Sequence, residues 1–138
     1  MKSRSELRDV IVTVTYQSYI MEVANLKFSI DKLIEEQPDI YKNEEFVIET
    51  CKGIYKNQKK ISEMANKYLN NWTIDRLSKV DKAILSLGIY ELLYTKTPSI
   101  VAINEAIELS KKYSDEDVIK MINACLDKIY HEELKEEK

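Results

Sequence analysis

Between Val80 and Leu93 the chain offers almost no polar face. Val80, Ala83, Ile84, Leu85, Leu87, Gly88, Ile89, Leu92 and Leu93 fill every side of a helical wheel. A helix apolar all round has to be covered on all sides, so the rest of the chain must wrap it. Its start is legible: Ser78 followed by Asp81 three residues on resembles a capping box, in which the hydroxyl accepts from the backbone N–H one turn ahead. Asp81 also suits the positive end of the helix dipole. The expectation is a buried central helix with a polar N-terminal tip open to solvent.

The flanking segments supply amphipathic helices to do the covering. From Ser5 to about Glu22, Leu7, Val10, Ile11, Val14, Ser18 and Met21 share one helical face. The β-branched run Val10–Thr15 argues for a strand, but the length and the continued helical period decide for a helix. A short helix begins at Asn25 or Ser29 with Ile30, Leu33 and Ile34 inward, and it ends before Pro38. From Asn43, a plausible N-cap, to about Asn70, the series Val47, Cys51, Ile54, Gln58, Ile61, Ala65 and Tyr68 steps by four and three. Gly53 beside that seam has two readings, a close helix contact or a tolerated glycine costing roughly 1 kcal/mol relative to alanine. After a short connection with Pro98, a helix over 99–113 turns Ile100, Ile103, Ala106, Ile107 and Ser110 inward. Ser114 and Asp117 repeat the capping pattern and open a last helix with Val118, Met121, Ile122, Cys125 and Ile129 on one side.

The expected fold class is therefore all-α. Two glycines and two prolines are too few for the many tight turns of a sandwich or barrel. Residues 1–130 read as one domain, and 131–138, with four glutamates against two lysines, as a flexible charged tail. No apolar run reaches membrane-spanning length and the N-terminus lacks a signal-peptide core, so a cytoplasmic protein is expected. Cys51 and Cys125 sit within apolar helical patterns and read as small buried hydrophobes in a reducing compartment.

The residues that chemistry would need are sparse. The single histidine, His131, lies in the tail, out of reach of a held Ser-His-Asp or Cys-His arrangement. No Cys/His cluster has zinc spacing, and both glycines lie inside helices rather than in a phosphate-cradling loop. Carboxylate neighbours such as Glu44–Glu45 and Glu132–Glu133 read as helix starts and solvated faces. A binding module is expected, not an enzyme, with no cofactor and no metal. The net charge of −3 argues against a general nucleic-acid binder and requires any RNA contact to use a local basic patch.

A series of motifs covers residues 72–130 without a break: W-x-x-x-R-L from Trp72, V-D-K-A-I-L-x-L-x-I-Y-E-L from Val80, P-x-x-V-A-I-N-E-A-I-E-L from Pro98, then Lys111–Tyr113 and K-x-x-N-x-x-L-D-K-I from Lys120. In order and spacing this series resembles the NusB family of transcription antitermination factors. The first half resembles it less closely, through Leu7–Asp9, Tyr16 with Gln17, and Gly53–Tyr55. The resemblance implies about seven helices in two perpendicular three-helix groups. It implies antitermination in ribosomal RNA synthesis, within the transcribing RNA polymerase complex. It further implies binding of boxA-type RNA jointly with the ribosomal protein that acts as NusE.

Carried over position by position, the resemblance implies partner contacts at Tyr16 and Asp81. It implies an RNA surface made of Lys2, Arg4 and Arg8 with Tyr113, Asp117, Lys120 and Met121. Cations there neutralise phosphates and an aromatic stacks on an unpaired base. Asp81 retains a second reading as a helix cap alone, Tyr113 as a core residue and Lys120 as a solvated lysine. The sequence departs from the family pattern twice: its N-terminal run is sparse in arginine, with Glu6 inside it, and Met121 stands where an aromatic is common. Stacking is worth ~1–3 kcal/mol per base, so weaker unaided RNA binding is expected. The rival reading is a protein-interaction adaptor of the same fold with reduced or lost RNA binding.

Overall fold

The computed structural model describes residues 2–134 and contains, among them, eight α-helices and no strand. They are α1 (Arg4–Val23), α2 (Ile30–Glu35), α3 (Asp39–Lys42), α4 (Glu45–Lys56), α5 (Gln58–Tyr68), α6 (Lys79–Tyr94), α7 (Ser99–Tyr113) and α8 (Glu116–Ile129). A 3-10 turn, Ile74–Arg76, leads into α6, and a π-helical turn, Tyr130–Leu134, follows α8. Helix α6 is the axle. It packs against α1, α4, α5, α7 and α8, with α1, α2 and α4 grouped on one side and α7 and α8 on another. Ten of its residues are buried, among them Ile84, Leu85, Leu87, Ile89 and Leu92.

In α1 the β-branched run is helical because Val10, Ile11, Val12 and Val14 are all buried against neighbouring helices, and packing overrides the weak intrinsic preference of such residues. Ser3 caps its start by accepting from the Glu6 N–H at 3.0 Å. Asn25, at φ 59°, ends it in the left-handed region, and the Leu26 N–H returns to the Met21 carbonyl at 2.9 Å. Ser29, not Asn25, starts α2, its hydroxyl accepting from the Lys32 N–H at 3.1 Å.

The single long helix expected over 43–70 is two helices. At Asn57 (φ −104°, ψ 16°) the backbone leaves helical geometry, and the side-chain amide donates to the Gly53 carbonyl at 2.8 Å. The break lets α4 lie on α1 and α2 while α5 turns to α6 and α8. Glu44 rather than Asn43 precedes α4, without a side-chain cap. Gly53 proves to be a close contact, since a Cβ there would meet the Tyr90 hydroxyl at 2.1 Å.

Helix α7 is rotated relative to expectation. Ala102, Ala106, Leu109 and Ser110 are buried, while Ile100 is 70% exposed. The reason is a tight crossing: a Cβ on Gly88 of α6 would lie 3.3 Å from Ala106 Cβ and 2.9 Å from Leu126 Cδ1. Small residues face the close approach and bulky ones are turned away from it. Helix α8 is capped by Asp115, which accepts from the Val118 N–H at 3.0 Å, and not by Ser114.

Candidate nucleic-acid and partner interface

Ser78 does cap α6, its Oγ accepting from the Asp81 N–H at 3.2 Å. At the tip it caps, Ser78 is exposed but Asp81 is covered. Asp81 is only 7% exposed, because the loop between α7 and α8 lies over it and the Ser114 hydroxyl donates to its carboxylate. The expectation of an open tip is corrected here: Asp81 borders a groove instead of projecting into solvent.

That groove, about 710 Å3, runs between the 3-10 turn, the start of α6 and one face of α8, with the end of α5 as a wall. It brings together four residues named from the sequence: Asp81, Asp117, Lys120 and Met121. It adds three that the sequence reading did not count as site residues: Tyr68, Trp72 and Arg76. Trp72 is 46% exposed, with the Arg76 guanidinium carbon 5.8 Å from its ring centroid. The Trp-x-x-x-Arg spacing was the available signal. By itself that spacing marks a family motif, since nothing in one sequence says that a tryptophan remains outside the core. The helical period puts Tyr68 in a buried seam, but the break at Asn57 redirects α5 and leaves it half-buried at the groove wall.

The other named residues lie elsewhere. Tyr113 is exposed, not a core residue, and its hydroxyl donates to Asp9 Oδ1 at 2.7 Å while Lys112 bonds the other carboxylate oxygen. Acceptance by the Asp9 carboxylate raises the Tyr113 phenol above its ordinary value. This contact ties the start of the α7–α8 loop to α1. Arg4 is exposed, with its guanidinium 4.1 Å above the Phe46 ring centroid, and Lys2 lies 3.4 Å from Glu44.

Arg8 departs most from expectation. It is 3% exposed and doubly bonded to Glu91, Nε to Oε1 at 2.6 Å and Nη2 to Oε2 at 2.8 Å, with Glu105 3.4 Å away. Burial opposes its charge, yet the two carboxylates outweigh burial and hold the guanidinium above its ordinary value. The carboxylates of Glu91 and Glu105 take up its donors, so in this geometry Arg8 ties α1 to α6 and α7. Tyr16 lies on the outer face of α1, 40% exposed, followed at helical spacing by Ile20 at 42% and Val23 at 69%. No group of three or more His, Cys, Asp or Glu among the described residues is placed to hold a metal ion. No helix among them is long and apolar enough to cross a membrane.

The profile of the NusB family matches residues 1–131. The chain belongs to the NusB family. A curated relative, the transcription antitermination protein NusB of Methylacidiphilum infernorum (isolate V4), is 40% identical over 130 residues, covering 94% of this chain and 91% of its own length. The solved structure of T. maritima NusB superposes with a TM-score of 0.84 at 31% identity, covering 95% of this chain and 92% of that one. A chain from a crystal structure of the antitermination factors NusB and NusE in complex with dsRNA shares the fold, with a TM-score of 0.73 at 24% identity, covering 93% of this chain and 96% of that one. The eight helices of the described residues, α6 central among them, thus share the fold of these NusB structures and come close to the seven expected.

Proposed function

We propose that this NusB-family protein is a transcription antitermination factor that binds single-stranded boxA-type RNA jointly with the ribosomal protein NusE. The observation that carries the reading is the groove, where Lys120 and Met121 share one concavity with Tyr68, Trp72 and Arg76. Aromatic faces flanked by cations are what an unpaired, splayed-out RNA base and its phosphate require. Trp72 and Tyr68 supply the ring area that Met121 lacks, which answers the missing aromatic at that position. Lys2 and Arg4 extend the cationic surface at the start of α1, Tyr113 at the end of α7 reaches across to α1, and Asp117 offers an acceptor for base amino groups. Arg8 enters only by fixing α1 in place.

NusE would dock on the apolar stripe Tyr16, Ile20 and Val23, three exposed positions on successive turns of one helix. Asp81, held by Ser114, would offer its carboxylate at the groove edge, where desolvation by a partner strengthens a charge pair. The setting would be the transcribing polymerase complex in the cytoplasm.

One observation favours the adaptor reading with weakened RNA binding. The groove's cations Arg76, Lys120 and Lys128 face as many carboxylates, Asp81, Asp115 and Asp117. Fluorescence anisotropy with a boxA RNA and a scrambled control, with and without NusE, separates the two readings. Selective binding that tightens with NusE supports the joint RNA reading. NusE binding without RNA selectivity in either condition replaces it with the adaptor.

A further inference from the structure

The turn Tyr130–Leu134 folds back on the end of α5; it takes in the first residues of the tail expected to fray over 131–138, of which 135–138 lie outside the described residues. Glu133 there accepts two hydrogen bonds on one oxygen. Its Oε2 is 2.8 Å from Lys67 Nζ, and it also accepts from the Tyr68 hydroxyl. The Glu133 side chain is 25% exposed and that of Lys67 61%. Tyr68 is a wall of the groove, so Glu133 sits at the groove's rim, one hydrogen bond from its lining.

An ammonium and a phenol hydroxyl converging on one oxygen make a site for an anion, and both are donors that proteins use on phosphate oxygens. The carboxylate of Glu133 stands in for such an oxygen. The groove's own cations are matched by carboxylates, so Lys67 is the charge that would tip the balance toward RNA. While Glu133 pairs with it, that charge is cancelled. An exposed pair of this kind is weak and yields readily to a better anion.

We propose that Lys67 and Tyr68 form a phosphate site for RNA crossing the groove, and that Glu133 of the chain's own C-terminal turn occupies it until RNA displaces it. The inference rests on the RNA reading of the groove. It makes the acidic turn an internal competitor that lowers the protein's unaided RNA affinity.

The test is a titration of a fluorescein-labelled single-stranded boxA RNA with the full chain, as wild type, E133A, E132A, K67A and the K67A/E133A double variant, across a salt series. E133A is expected to bind tighter at low salt, and that gain should shrink about threefold between about 50 and about 200 mM salt, one phosphate contact's share. Its plot of log affinity against log salt should steepen by about 0.7, the single-strand value for one added contact. K67A alone should change little, and the double variant should lose both gains. E132A removes the same charge one residue away and should leave the slope unchanged. If wild type binds but E133A matches it in affinity and slope, the latch is wrong while the groove reading stands. An equal gain in E132A also overturns it, as a general charge effect. If no variant binds the RNA, the groove reading falls and takes this inference with it.

Discussion

At the scale of single residues, burial decides what each group can do. Arg8 is a cation taken out of solvent and matched by Glu91 and Glu105. Removing one partner of a buried pair leaves the other uncompensated, at a cost of roughly 3–5 kcal/mol. R8A should therefore unfold at much lower urea, while its folded fraction still binds RNA. R8K should recover little, since an ammonium cannot make the two parallel bonds to Glu91. A variant of normal stability that fails to bind RNA would return Arg8 to the RNA surface. Burial also pushes the Cys51 and Cys125 thiols up to about 12. Both should resist iodoacetamide at pH 8 in the native protein and react once it is unfolded, as read by mass spectrometry. The Glu133 carboxyl lies below its ordinary 4.5, held there by the Lys67 and Tyr68 hydrogen bonds. A depressed carboxyl pKa means the contact is fully present above that ordinary value and is lost as pH falls through the lowered one. NMR of the Glu133 and Tyr68 side chains should show the contact intact at pH 6 and released only in more acidic solution.

At the scale of elements, close contacts explain what helical periodicity could not. The expected seam from Val47 to Tyr68 keeps its apolar spacing across Asn57, yet the chain bends there because α4 and α5 have different partners. Gly53 admits the Tyr90 ring where a Cβ would collide with it. G53A gains about 1 kcal/mol of helix propensity but must displace that ring, and overpacking costs typically 1–3 kcal/mol. A net loss of thermal stability is expected. An unchanged or higher melting temperature would show that Tyr90 swings away freely. The rotation of α7 has the same origin, because the small side chain of Ala106 permits the close crossing over Gly88.

At the scale of the molecule, the apolar stripe lies on α1, and none of its three residues lines the groove along α8. Substituting the stripe should therefore affect only one of the two surfaces. I20D is expected to abolish NusE binding, measured by calorimetry, and to leave RNA binding by the protein alone within about twofold, as befits a residue with no place in the groove lining. Equal loss of both would mean that the two surfaces are one. The sequence by itself determined the helical class, the buried α6 and the starts of α6 and α7, because those follow from local periodicity and from the caps and breakers that adjacent residues supply. The family resemblance named Asp117, Lys120 and Met121, and α8 carries all three within about one turn. Only the tertiary structure decided that Asp81 is covered by Ser114, that Arg8 faces Glu91, that Tyr68 and Trp72 join the groove, and that Glu133 reaches Lys67. Each of these joins residues far apart in the chain, and which face of a helix meets which neighbour is set by the packing of large against small side chains, which no local pattern encodes.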